Sequence, residues 1–572
     1  MRKQLLALLT AVVAAGALHA APFTFAILGD RTGSHVEGIY GQVVAEVEAL
    51  KPDFVITVGD QIEGYTEDTA RINAEWQEYD SIVAGLSMPL YLVPGNHDIT
   101  SDAMQPFYQR YTGRGPYYSF DHKGLHVVVL DNSRCESSQG FPEEQFEWLR
   151  QDLAASREAD HTLVFFHKPF WYERAAHGRP DPLHELFKAE GVDAVFSGHY
   201  HQYFSGELDG ISYTTIGSSG GGTEPGPTGI EYHYATVSVD DKGVTVQPVL
   251  LGGETRPSDE VTINDMLAIE NVHLTGMRAL QPVLVSEGPV TEAAVLLEIA
   301  NPTAGVVLDD TLRWELPEGW TVEPVNQPVR VEGEGVERLE LRVRCTGDPF
   351  PVPEATLEFP YAEGRTVEVT ELLHVARTAS CHGLDAAPTI DGQVDEPGWG
   401  VPVTRFFHYE GGEAKTDPVQ FHFGRDDENL YVAAVCRDEK PDSIIARAEE
   451  QDGPVYAEDC VGYFFQPDTA EDVVYQVYFN PLGTVFDQRI AIQEDGYWDV
   501  DRNWNGSYEV KTTRGVDGWS IEARIPLAEL GAVGTPGPWG LNFRRKQPRL
   551  GNADWQLPIS YDPGTYGYLT LE

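Results

Sequence analysis

The chain has 572 residues, which at about 150 residues per domain predicts roughly three or four folding units. Forty basic against 90 acidic residues leave a formal charge of −50, which excludes a nucleic-acid groove binder and docking on an anionic membrane by charge. A hydrophobic share of 41%, with 11% aromatics, excludes a disordered acidic chain.

At the start, Arg2 and Lys3 precede an apolar run from Leu5 to Leu18, and the small residues Ala20 and Ala21 follow. This is the layout of a secretory signal, and the run is shorter than the roughly 20 residues of a bilayer span. Residues 1–20 are therefore expected to be a signal peptide, with a secreted or periplasmic mature chain that has no membrane span.

From Pro22 to about Thr255, strand-like runs alternate with helical spacing. Phe23 to Leu28 reads as a strand, Ile39, Val43, Val47 and Leu50 as one helix face, and Phe54 to Val58 as a second strand. Further strands are expected at Leu90 to Val93, Val127 to Leu130, Leu163 to Phe166 and Ala194 to Phe196. After Arg256 to Glu260 the period becomes two, with strands at Val295 to Ile299, Leu312 to Leu316, Leu339 to Val343 and Leu357 to Tyr361, as in a β-sandwich. A third region from about Thr378 is also β-rich and holds six of the eleven tryptophans, so its aromatics must serve either a core or a binding face. The five cysteines, Cys135, Cys345, Cys381, Cys436 and Cys460, are too irregularly spaced for a disulfide framework or a zinc knuckle. Cys436 and Cys460 lie on neighbouring strand-like segments, where they either pair or stay buried thiols.

Five segments of the first region put ligand-type residues at strand ends. They are Gly29-Asp30, Gly59-Asp60, Gly95-Asn96-His97-Asp98, His167, and Gly198-His199-Tyr200-His201. Mixed oxygen and nitrogen donors suit Mn, Fe or Zn rather than the oxygen shell of calcium. In this order, over about 230 residues, the segments resemble the calcineurin-like metallophosphoesterases, a family that includes purple acid phosphatases.

The resemblance implies an α/β domain over residues 21–255, a four-layer β-sandwich flanked by helices, acting as a metal-dependent phosphatase or phosphodiesterase. It implies two divalent or trivalent metal ions bridged by Asp60. One would be held by Asp60, Asn96, His167 and His199, the other by Asp30, Asp60 and His201. A metal-bridging hydroxide would attack phosphorus in line, while His97 protonates the leaving oxygen and Asp98 helps fix its ring. The chain departs from the commonest pattern at Thr32, where the family carries a histidine, so the second metal is expected to be held more weakly. Glu63, three residues past Asp60, is read in three ways: a replacement ligand, a carboxylate that orients His97, or a surface charge. Among nearby cations Arg31 is the first choice as a phosphate clamp, ahead of Arg134 and Lys168, and Phe170 and Trp171 either wall a pocket or pack a core.

Residues 256–377 look like the immunoglobulin-like spacers of exported enzymes. Residues 378–572 carry Ile390-Asp391-Gly392, Trp399, Asn429-Leu430-Tyr431, Gly518-Trp519 with Glu522, and Trp539-Gly540 with Asn542 and Arg544. These resemble family 9 carbohydrate-binding modules. The resemblance places Trp399, Trp519 and Trp539 in the core, and leaves Trp498, Trp504, Trp555 and Arg545 either as a sugar platform or as packing. The expected protein is an exported phosphoesterase tethered to a polysaccharide or cell-surface glycan. The alternatives are a catalytically degenerate carbohydrate- or surface-binding protein, favoured by Thr32, and an exported phosphodiesterase or nuclease.

Overall fold

In the computed structural model, strand β1 (Phe23–Leu28) shows how the first region is built. Its period of two sends Phe25 and Ile27 to one core and Ala26 and Leu28 to another, so both faces are apolar and both are covered. The structure describes residues 22–571 except 67, 224–225, 287–288, 291, 493–497 and 536, and the expected signal at 1–20 lies outside the described residues. The chain divides into two compact units, Met1–Glu270 and Asn271–Glu572.

In the first unit β1, β2 (Val55–Thr57) and β3 (Leu90–Tyr91) run parallel, and two later antiparallel strands, His233–Asp240 and Gly243–Leu250, extend the sheet beyond β1. A second sheet holds β4 (Tyr118–His122), β5 (Leu125–Val129), β6 (His161–Phe165) and β7 (Ala194–Ser197), with Ile211–Thr215 and Phe204–Leu208 beyond. Its strands β5 to β7 are parallel. Phe25, Ile27 and Ile56 of one sheet share a core with Val127, Val129, Leu163, Phe165 and Phe196 of the other. The outer face of the first sheet packs on α1 (Ile39–Leu50), α2 (Thr69–Val83) and α3 (Gln105–Thr112), and that of the second on α4 (Glu143–Ala155), α5 (Phe170–His177) and α6 (Pro182–Glu190). The result is a four-layer α/β sandwich.

Two local expectations shift. Helix α1 buries Tyr40, Val43, Val44 and Val47 rather than a face ending at Leu50, which is exposed because Lys51 turns left-handed and ends the helix. Trp171 and Phe170 lie in the core under the second sheet, so they pack rather than wall a pocket.

A charged histidine is built into this sandwich away from the strand-end loops. His126, buried on β5, faces Asp121 through Nδ1 at 2.8 Å and Asp152 through Nε2 at 3.0 Å. Burial opposes the charge, but the two carboxylates outweigh it and raise the pKa above the usual histidine value. The contribution is complete below the unfolded pKa of about 6.5 and is lost as pH rises through the folded pKa. The melting temperature should therefore fall over that window in the wild type, and a His126→Gln variant should lose this slope in a thermal-denaturation pH series.

The boundary between the units falls within a helix, Ile263–Thr275, which the two-residue periodicity around it did not announce. The second unit begins with two four-stranded sheets. One orders Met277–Ala279, Ala293–Ala300, Val336–Cys345 and Trp320–Glu323; the other orders Gln327–Val331, Leu308–Glu315, Glu354–Ala362 and Arg365–Leu372. Strand Val336–Cys345 shows the expected alternation, burying Leu339, Leu341, Val343 and Cys345. From Val375 onward one large sheet encloses a core that includes Phe421, Phe423, Trp519, Trp539, Phe543 and Trp555. All five cysteines are buried and none forms a disulfide, so Cys436 and Cys460 do not pair. No helix among the described residues is long and apolar enough to cross a membrane.

Candidate metal centre

The loops after β1, β2 and β3 carry Asp30, Asp60 and Asn96, and those after β6 and β7 carry His167, His199 and His201. Oxygen donors thus come from the first sheet and nitrogen donors from the second. His167 Nε2 lies 2.8 Å from Asn96 Oδ1, 3.2 Å from Asp60 Oδ2 and 3.2 Å from His199 Nδ1. Asp60, His167 and His199 form a cluster whose donor atoms all lie within 4.8 Å of one another. His201 Nε2 stands 3.3 Å from Asp30 Oδ2. The other oxygen, Asp30 Oδ1, is buried without a hydrogen-bond partner.

The backbone selects which ring nitrogen faces inward. His167 Nδ1 donates to the Val58 carbonyl (2.8 Å), His201 Nδ1 to Gly222 (2.6 Å) and His97 Nδ1 to Glu63 (2.7 Å). Each Nε2 is left free to accept a cation or carry a proton. Around His167 this brings together several lone pairs that repel unless a positive charge lies among them. Without a metal, a proton takes that place: burial disfavours it, yet Asp60 outweighs burial and pushes the His167 pKa up to about 9. Asp60 is correspondingly lowered by His167, against its own burial. Burial, reinforced by the neighbouring His167, pushes His199 down to about 3, leaving a neutral donor. Burial dominates at Asp30 and raises its pKa. A buried, unpaired carboxylate oxygen and convergent oxygen and imidazole donors fit divalent cations of the Mn, Fe or Zn type.

The site is held under strain. Asp60, His199 and His201 adopt left-handed backbone with φ of 58°, 75° and 54°, uncommon for residues with a side chain. A Cβ on Gly198 would lie 2.3 Å from Asp30 Oδ1, so the glycine before His199 is required by close approach.

Several expected roles change. Asp98 does not touch the His97 ring. Its carboxylate accepts the backbone N–H groups of Asp60 (2.9 Å), Gln61 (2.8 Å), Ile62 (3.2 Å) and Gly95 (2.8 Å), tying the β2 and β3 loops together. The Glu63 carboxylate pairs with His35, so it neither faces the ligand cluster nor orients His97; its backbone carbonyl does the orienting. The Thr32 hydroxyl turns away, donating to the carbonyl of Ile62 at 2.9 Å. Arg31 is buried, with its guanidinium spent on the Gln61 carbonyl at 2.8 Å and on Glu78, so it is no free phosphate clamp. Arg134 pairs with Asp102, and Lys168 Nζ donates to the Cys135 carbonyl at 2.9 Å.

Three supporting groups went unread in the sequence. The buried Asn132 accepts from the N–H groups of both His167 and Lys168 at 3.1 Å and donates to the Lys168 carbonyl, which fixes the β6 loop. The run Ser218 to Gly222 wraps Asp30, whose carbonyl accepts from Ser219, Gly220 and Gly221. Tyr65 packs its ring against that of His97, and its hydroxyl accepts from Asn96 Nδ2 at 2.8 Å. The glycine-rich stretch after Ile216 was the available signal for the second of these.

In the second unit Trp399, Trp519 and Trp539 are buried, as expected of framework residues. Trp498 is 39% exposed and Trp504 half-buried, its ring 5.0 Å from that of Tyr475. Trp555 and Arg545 pack inside instead of forming a sugar platform. Trp555 stacks on Phe543 inside the core, and Arg545 is fully buried and donates to the Asp417 carbonyl, so neither can face a sugar.

The calcineurin-like phosphoesterase profile matches residues 23–203. Serine/threonine-protein phosphatase CPPED1 of Danio rerio is 30% identical over 214 residues, covering 34% of this chain and 68% of that protein. Purple acid phosphatase 15 of Arabidopsis thaliana is 30% identical over 174 residues, covering 25% of this chain and only 32% of that protein. The chain belongs to the calcineurin-like phosphoesterase family, whose members bind divalent metals. A family 9 carbohydrate-binding module from Caldicellulosiruptor kristjanssonii, solved with glucose, matches 34% of this chain and 96% of its own at 18% identity and a TM-score of 0.25.

Proposed function

We propose that the protein is an exported phosphoesterase that hydrolyses phosphate esters at two metal ions, and that its last region tethers it to glycans. The observation that carries the catalytic reading is the convergence of Asp60, Asn96, His167 and His199 donors beside the unpaired Asp30 oxygen. Asp60, Asn96, His167 and His199 would hold one metal, and Asp30, Asp60 and His201 the other. When bound, the metals supply Lewis-acid activation of water and of the phosphoryl oxygens. The chain's own contribution to bond cleavage is His97. With Nδ1 donating to Glu63, its Nε2 carries the proton delivered to the leaving oxygen. Among the described residues, support for tethering comes from Trp498, whose exposed ring lies 5.4 Å from Tyr561, in a region read as residues 378–572 behind a spacer at 256–377.

The test is turnover of the full chain, loaded with Mn²⁺, Zn²⁺ or Fe, on 4-nitrophenyl phosphate, an alkyl phosphate and bis(4-nitrophenyl) phosphate. His97→Ala should slow hydrolysis by about 10²- to 10⁴-fold, with the larger loss on the alkyl ester, whose leaving oxygen most needs a proton. No turnover with any metal, together with retention on a polysaccharide column that Trp498→Ala abolishes, would replace this reading with that of a glycan-binding protein.

A further inference from the structure

The loop between β2 and α2 places an aromatic side chain where solvent would be expected. Tyr65 is 61% exposed and sits in left-handed backbone with φ of 46°, a conformation that a bulky residue seldom adopts. Its ring stands perpendicular to that of His97, with centroids 4.7 Å apart and an interplanar angle of 88°. Its hydroxyl is 2.8 Å from Asn96 Nδ2, and the same Asn96 side chain turns its Oδ1 toward His167. The preceding residue anchors the loop. Gly64 N–H donates to Glu75 at 2.9 Å, and a Cβ on Gly64 would lie 1.7 Å from the His97 carbonyl oxygen. The tyrosine is thus fixed at its hydroxyl, at its ring and through its neighbour, and still leaves most of its surface open. Core packing does not account for it, since it belongs to none of the buried clusters.

We propose that Tyr65 determines substrate specificity, serving as a stacking platform for a planar aromatic leaving group on the phosphate ester. The assignment rests on the phosphoesterase reading above. The leaving oxygen must lie within reach of His97 Nε2 to take its proton, so the group attached to that oxygen emerges beside His97, where Tyr65 offers its ring. An aromatic substituent gains ring contact there that an alkyl chain cannot match in geometry, while the metals handle the phosphoryl end of either ester alike.

Equilibrium binding tests this without turnover. Phenylphosphonate and methylphosphonate are titrated by calorimetry into the Mn²⁺-loaded full chain of the wild type and of Tyr65→Phe, Tyr65→Leu and Tyr65→Ala. The wild type and Tyr65→Phe should prefer the phenyl ligand by about three- to tenfold, the range of one aromatic pair. Tyr65→Leu and Tyr65→Ala should bind the two ligands equally, the ratio of the two affinities being the readout because loss of the contact with Asn96 acts on both ligands alike. A phenyl preference that survives in Tyr65→Ala overturns the proposal. So does an equal loss of both ligands, which would mean that Tyr65 acts only through Asn96. A wild type that binds neither phosphonate overturns the phosphoesterase reading itself, and the platform with it.

Discussion

A His167→Ala variant should bind about one metal equivalent less after dialysis and lose at least about a thousandfold in turnover of 4-nitrophenyl phosphate, because a metal at such a site supplies several kcal/mol to the transition state. His167 is the hub of the centre: its Nε2 is the atom that Asn96 Oδ1, Asp60 Oδ2 and His199 Nδ1 all approach. Alanine removes the nitrogen and opens a void in a position with no exposure, so the remaining donors have nothing to converge on. Metal analysis and steady-state kinetics on the same preparation check both halves. Full metal content with turnover within tenfold of wild type would show that the imidazole is dispensable.

Asp98→Ala should carry the largest cost in stability. Four buried backbone N–H groups lose their acceptor together, and each unsatisfied group costs about 1–3 kcal/mol before relaxation, so a total loss of about 3–5 kcal/mol is expected. Burial and the charge of Asp60 push the Asp98 pKa up to about 8, yet the four donors still need its oxygens as acceptors. Urea denaturation of the metal-free protein measures this apart from any effect of metal. Asp98→Asn, which keeps one carbonyl oxygen for two of the donors, should fall between alanine and wild type. An alanine midpoint equal to wild type would show that water replaces the carboxylate.

The contrast between ligands and supports explains what the sequence made legible. Gly-Asp, Gly-Asn-His-Asp and Gly-His-Tyr-His sit at strand ends, and strand ends follow from short apolar runs, so the converging donors could be read locally. The partners of those residues could not. Arg31 looked like a free cation because Glu78, which neutralises it, is 47 positions away on α2. Glu63 acts through its carbonyl, an atom every residue has, so no side-chain pattern could reveal it. Asn132 reaches His167 across 35 positions with nothing to single it out among polar residues after a strand. Trp555 and Arg545 failed in the opposite way, since residues typical of sugar sites are also typical of a core when a sheet curls around them. The −50 charge does not describe this site, where burial and the charges of immediate neighbours decide each proton.

The division of donors between the two sheets has a mechanical consequence. Asp30, Asp60 and Asn96 belong to one half of the sandwich and the three histidines to the other, so an ion held by both sets would be a reversible cross-link across the seam. Residues as distant in sequence as Asp30 and His201 would be joined, and the long loop closed between them is the kind whose closure most restricts an unfolded chain. Metal loss would therefore act like the cutting of a staple. The two sheets could part along Phe25, Phe165 and Phe196, and the rate at which an ion escapes would report how often that apolar seam opens.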